Sequence, residues 1–278
     1  MYRNMILLII ITLPGILFAQ VNFGNFTNAS SLSINPNGFI FVSDLAENEV
    51  YKLDTLGNVI KTIGGYGWDE YSFDSPVDVF ATTLNVYISD KNNNRVKYLD
   101  KDLNFISDFT SDLIENKDYS FGYPTCASVS NQGDLYILDS DNIRILKYNL
   151  HGLLLQEIGS YDAGDFMLSD PSSFVFSNNM LFVADGDKLV IFDQFGMGLN
   201  QINLNFTPVN LNISFSNLVI SGKEDIFYID LSERSFVLRR LIELDNLPGE
   251  FVDAVVFNQK IYLLLNNTIF VYKINPVK

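Results

Sequence analysis

Cysteine and histidine are nearly absent from the 278 residues, with one of each, Cys126 and His151. One cysteine excludes an intramolecular disulfide, even on an oxidising export route. One histidine excludes a zinc site of three or four His and Cys ligands. No Ser-His-Asp triad can be assembled around a histidine that sits in the turn Asn149-Leu150-His151-Gly152, where a solvent-exposed side chain is expected. Positive charge is scarce too: 18 Lys and Arg stand against 33 Asp and Glu, a net charge of −15. Such a surface repels phosphate backbones and anionic membranes, so nucleic-acid binding is excluded as a main role. There is no D-x-D-x-D-G calcium loop and no Gly-rich phosphate cradle. Cys126 lies in the apolar run Thr125–Val129 and reads as a small buried thiol.

Only one long hydrophobic run exists, Met5–Phe18, and it follows Arg3. It is interrupted by Pro14-Gly15, falls short of the roughly 20 residues of a membrane span, and ends at Leu17-Phe18-Ala19. Residues 1–19 therefore read as a cleavable signal peptide, leaving 20–278 as the folded, secreted or periplasmic part with no membrane insertion. No cysteine follows the cleavage site, so a lipoprotein anchor is not expected.

What the chain has in abundance is repetition. VYISDKNNNRVKYLD at Val86–Asp100 is echoed by FIFVSDLAENEVYKLD at Phe39–Asp54, DLYILDSDNIRILKYN at Asp134–Asn149 and MLFVADGDKLVIFD at Met180–Asp193. Weaker copies are DIFYID at Asp225–Asp230 and KIYLLL at Lys260–Leu265. The aromatic three residues before each turn recurs at Phe41, Tyr87, Tyr136, Phe182, Phe227 and Tyr262, in steps of 46, 49, 46, 45 and 35 residues. A period in the forties with four strand-like runs per period marks a β-propeller. The runs are apolar at nearly every position and rich in Val, Ile, Tyr and Phe, as expected of strands covered on both faces. Prolines 76, 124 and 171 each open a new blade, where a missing N–H breaks no ladder. The expected fold is all-β, six blades of four antiparallel strands. The sixth copy supplies only three strands, so Val21–Phe23 is expected to become its outer strand and close the ring. In blade five the third and fourth strands blur within Phe236–Leu244.

The motif Tyr87-Ile88-Ser89-Asp90, then Asn94-Arg95-Val96 and Asp100, resembles the NHL-repeat family of six-bladed propellers. The match is clear over Ser31–Asp193 and rests on spacing alone beyond it. This resemblance implies a binding platform, while relatives in the wider superfamily are lactonases or lyases.

The candidate sites follow from that frame. The turn aspartates Asp44, Asp90, Asp139, Asp185 and Asp230 are read as structural, each accepting N–H groups of the following turn. The long inter-blade linkers share one face, and they carry Tyr66, Trp68, Asp69, Glu70, Tyr123, Tyr161 and Asp162. Aromatics beside acids in loops can stack on sugars or hold peptide side chains; the bland reading is that Tyr66, Trp68 and Phe73 plug the seam between blades. The primary expectation is a non-catalytic module that binds a protein or glycan, without metal or cofactor. The alternative is a calcium-dependent hydrolase, lactonase or lyase with acids lining the channel, where Asp78 and Asp253 interrupt otherwise apolar inner strands. Sequons at Asn25, Asn28, Asn205, Asn212 and Asn266 are what an Asn-rich chain gives by chance.

Overall fold

The structure, a computed structural model, describes residues 21–111, 120–149, 151–214, 216–233, 235–244 and 247–274. The expected signal peptide lies outside them. Six four-stranded antiparallel sheets stand around one axis, five of them running in chain order from an inner strand to an outer one. The inner strands are Ala29–Ile34, Pro76–Ala81, Pro124–Val129, Pro171–Ser177, Asn210–Ser214 and Phe251–Phe257. Val21–Phe23 pairs antiparallel with Ile269–Lys273, Val21 opposite Val271 and Phe23 opposite Ile269, so the first described strand completes the last blade.

The core is divided into six wedges, one per seam between neighbouring blades. Leu32, Ile40 and Val42 of blade one meet Val255, Tyr262 and Leu264 of blade six. Phe41 and Val50 of blade one meet Val79, Val86 and Ile88 of blade two. The other four seams are filled in the same way. Phe41 and Val42 thus point to opposite seams from one strand, and both are fully buried. This is why the second strands carry no polar alternation: each face of a middle strand is somebody's interior.

One aspartate of the expected ring is placed elsewhere. Asn210 pairs with Ser221 just as Ser173 pairs with Ala184, so Asn217–Ser221 is the second strand of blade five. Asp225–Asp230 is the third strand and Arg239–Glu243 the fourth. Asp230 therefore belongs with a second series, Asp54, Asp100, Asn149 and Asp193, at the end of the third strands. Each of those four accepts the N–H groups two and four residues on, and Asp230 accepts that of Ser232. The physical reason for the mistaken register is that both strand types end in an Asx-capped turn. Blade five's true second strand, NLVIS, has neither aromatic nor acid to announce it.

The hairpins after the third strands of blades one, three and four lean on the preceding blade. Gly57, at φ +90°, sits where an added methyl would overlap the Phe23 ring. The closing strand is thereby clamped by blade one as well as paired within blade six. A chain starting at Gly24 loses the ladder to Ile269–Lys273 and the half-buried Phe23. Its urea midpoint is expected to fall by several kcal/mol equivalent, with association through the bared edge. An unchanged midpoint and a monomer by sedimentation would show that closure contributes nothing.

Candidate functional site

Five of the six inner strands carry a β-bulge at their first turn: two residues of the inner strand face one of its partner at Ala29/Ser31, Pro76/Asp78, Pro124/Cys126, Pro171/Ser173 and Phe251/Asp253. A bulge re-aims the side chain that follows it. The residues set down after the five bulges are Ser31, Asp78, Cys126, Ser173 and Asp253. Blade five has no bulge, and Asn210 takes the channel position there.

Each inner strand has a ladder partner on one side only, so its outward N–H groups face the channel unpaired. The side chains just named satisfy them across the seams. Ser31 Oγ donates to Asp78 Oδ1 (2.9 Å) and accepts from Val79 N (3.3 Å). Asp78 Oδ2 accepts from Ala127 N at 3.2 Å. The Cys126 thiol donates to the Phe174 carbonyl at 3.4 Å. Ser173 Oγ donates to Asn210 Oδ1 (2.6 Å) and accepts from Leu211 N (3.3 Å), repeating the Ser31 device. Asn212 Nδ2 donates to Asp253 Oδ1 (2.7 Å) and to the Ala254 carbonyl (3.1 Å). Asp253 Oδ2 accepts from Leu32 N at 3.0 Å and returns the circle to blade one. All six seams are bridged.

Above this circle lies a cavity of about 300 Å³, bounded by the starts of the inner strands and the linker ends before them. It opens on the linker face. Ser31, Asp78, Cys126, Ser173 and Asn210 are in its wall and in that of a small void beneath it. Asp78 keeps some surface towards the cavity, although protein surrounds it otherwise. Burial pushes its carboxyl above the ordinary value, against the hydrogen bonds from Ala127 and Ser31. Asp253 is wholly buried behind the wall. Burial, aided by the charge of Asp78, raises it to about 8 despite the Leu32 and Ala254 N–H groups. The Cys126 thiol is pushed well above its usual value, by burial first and Asp78 next, so it stays protonated and is no nucleophile.

The calcium site of the alternative reading does not fit. Calcium takes six to eight oxygens, whereas Asp78 and Asp253 turn theirs on N–H and O–H donors. Among the described residues no three His, Cys, Asp or Glu side chains converge.

The seven linker residues named from sequence are spread over three loops, and none lines the cavity. Tyr66, Trp68 and Tyr161 are 74%, 67% and 87% exposed, and Tyr123 is exposed as well. Phe73 alone plugs the seam of blades one and two. The loop under Trp68 is held by its backbone: Arg95 donates to the carbonyls of Trp68 and Ser72 (both 2.8 Å), and Lys97 to that of Asp69 (3.1 Å). Asp69 is exposed and held below the usual carboxylate range, chiefly by the Ser72 hydroxyl. Glu70 and Asp162 are also exposed, and Asp162 accepts from Ser160 Oγ at 2.6 Å. Three of the turn aspartates act on a different segment from the one expected, while Asp230 caps its own turn as expected. Asp90, Asp139 and Asp185 accept N–H groups of Asp74, Gly122, Ser169 and Asp170, in the incoming linkers. Asp44 grips both its linker (Thr27, Asn28) and its own turn (Ala46).

Solved structures of similar shape include propeller lyases. A streptogramin B lyase superposes with a TM-score of 0.65 at 13% identity, covering 93% of this chain and 98% of that one. Virginiamycin B lyase from Staphylococcus aureus gives 0.61 at 15% identity, over 89% and 80%. Its catalytically inactive histidine-to-alanine variant with quinupristin gives 0.58 at 14%, over the same shares. The chain shares their fold. No family model and no curated protein matches it. These neighbours stand against the expectation of a non-catalytic binding module, since each of the three is a lyase. His151, however, is exposed in a turn on the opposite face and lies far along the chain from any cavity-lining residue.

The polar ring was partly visible beforehand. Asp78, Cys126 and Ser173 each stand two residues after a blade-opening proline, and that offset was the usable signal. Its consequence for stability is testable. The folded-state value of Asp253 lies above the unfolded one of about 3.9, so the native chain keeps a proton that the unfolded chain releases. Stability is fullest below about pH 4 and declines until pH passes about 8. The urea-derived stability should fall from pH 5 to 8, by at most about 1.4 kcal/mol per pH unit for this group. Asp253→Asn should flatten that slope while lowering stability at pH 5. An equal slope in both proteins would contradict the assignment.

Proposed function

We propose that the chain is a lyase that works at the linker-face mouth of its central channel. The observation that carries this is Asp78: a carboxyl on the wall of the 300 Å³ cavity, raised above its ordinary value by burial and held by Ser31 and Ala127. A carboxyl poised nearer neutrality serves better as a proton-transfer group. The fold of the lyase neighbours supports the reading. With no histidine in the cavity wall, the base would be Asp78. In the elimination the ionised carboxylate takes a proton from carbon, the electron pair left behind forms the double bond, and the leaving group departs with its bonding pair. Asp253 acts only through position, since it does not reach the cavity. A cavity of this size takes a small molecule or the protruding end of a larger one. The exposed rings Tyr66, Trp68, Tyr123 and Tyr161 would then offer a floor for the remainder of a large substrate. We also retain as proposals that the repeat is of the NHL kind and that residues 1–19 direct export, which places the enzyme outside the cytoplasm.

The test is product analysis with quinupristin and a panel of cyclic esters. Elimination in a ring leaves the mass unchanged, whereas hydrolysis adds a water. The expected result is a mass-neutral, unsaturated product whose rate rises as Asp78 ionises. Asp78→Asn should lower it by about 10²–10⁴-fold while circular dichroism stays that of the wild type. Turnover equal in the variant, a product one water heavier, or no turnover across the panel would overturn the proposal.

A further inference from the structure

One turn of blade two, residues 91–94, gathers two linkers. Asn93 Nδ2 donates to the Gly67 carbonyl (2.9 Å), and Asn94 Oδ1 accepts from Tyr123 N (2.8 Å). Consecutive side chains of that turn thus fix the loop carrying Tyr66, Trp68 and Tyr71 beside the linker residue Tyr123. All four rings are exposed, and rings held open to water on a fixed backbone mark a contact surface. Charge is sorted by depth across the loop. Arg95 and Lys97 lie buried beneath it and are neutralised by Asp90 and Asp108. Asp69 and Glu70 stand exposed on its outer side, and neither is in a salt bridge among the described residues. Residues 65–75 contain no Lys or Arg, and the turn adds only the half-buried Lys91. The linker 159–170, two blades along, repeats the pattern: Tyr161, Asp162 and Asp165 are exposed and no Lys or Arg accompanies them. The surface is therefore aromatic and negative together, on a chain at −15.

We propose that this surface docks a basic, arginine-bearing segment of a partner polypeptide, with guanidinium planes over Trp68 and the neighbouring tyrosines and their charge towards Asp69 and Glu70. Arginine is the side chain that both stacks on aromatic faces and pairs with carboxylates. A neutral sugar would stack on the rings and leave the acids without a counter-charge, and a phosphate-bearing partner would be repelled. Complementary charge also steers the encounter. The loop loses little freedom on docking, because Arg95 and Lys97 already hold the carbonyls of Trp68, Asp69 and Ser72. None of these residues lines the cavity, so the inference stands independently of the chemistry there.

Trp68 is the only tryptophan, so its emission reports on the surface directly. The full chain is titrated with a short peptide of alternating arginine and glycine, with its glutamate–glycine counterpart and with cellohexaose. The arginine peptide is expected to shift Trp68 emission saturably, and more weakly as salt is raised; the other two should leave it unchanged. By calorimetry, Trp68→Ala and Glu70→Gln should each weaken the arginine peptide about fivefold. Glu224→Gln removes an exposed acid from blade five, across the ring, and should have no effect. Equal weakening by Glu70→Gln and Glu224→Gln would show only diffuse attraction to an acidic chain and overturn the proposal. So would undiminished binding in Trp68→Ala, tighter binding of cellohexaose than of the arginine peptide, or no saturable binding.

Discussion

The first strand of each blade has a neighbour on one side and open channel on the other. Its outward N–H groups would be left without partners unless something in the channel accepted them, and a buried orphan N–H is among the costlier faults a fold can carry. The chain answers with side chains from the preceding blade: Ser31 for Val79, Ser33 for Ala81, Asp78 for Ala127, Ser173 for Leu211 and Asp253 for Leu32. The blades are thus fastened at the axis by directional bonds and along the seams by apolar wedges. Neither alone would fix the angle between neighbouring sheets. The wedges are non-directional, and the channel bonds are few.

This solution fills the axis with polar groups, and two of them are carboxyls. Desolvation is the price of using Asp where Ser would serve, and it shows in the upward shift of both Asp78 and Asp253. Their positions differ in a way that decides their roles. Asp253 receives three N–H donors and is sealed. Asp78 receives one N–H and one hydroxyl and keeps a side towards the cavity. A group held less completely, in a place a small molecule can reach, is available for chemistry that its sealed counterpart is not. The same bulge that lets a side chain reach the next blade also sets it in the channel wall, so the groups that fasten the blades are the ones that line the cavity.

Much of this architecture was legible in the chain. Aromatic, aliphatic, small residue and aspartate at a spacing in the forties gave the blade count, and the unmatched Val21–Phe23 gave the closure. Blade five misled because DIFYID, a third strand, ends in the same kind of capped turn as the second strands elsewhere. The channel ring was harder to see because its residue types vary. Serine, aspartate, cysteine and asparagine can all bridge a seam, so only their place after the bulge is shared. The loop aromatics drew attention because Trp68 is unique, yet uniqueness says nothing about where a side chain points. The primary expectation of function, a platform without catalysis, is corrected by the lyases that share the fold.

If side chains of one blade satisfy the inner-strand amides of the next, those amides must be protected although no strand covers them. Native-state hydrogen exchange of Leu32, Val79, Ala81, Ala127 and Leu211 measures this directly, compared with second-strand amides such as Val42 and Val183. The account predicts protection close to that of the ladder amides. It also predicts a loss confined to Ala127 in Asp78→Ala and to Leu32 in Asp253→Ala. Rapid exchange of all five in the wild type, as for an uncovered sheet edge, would contradict it.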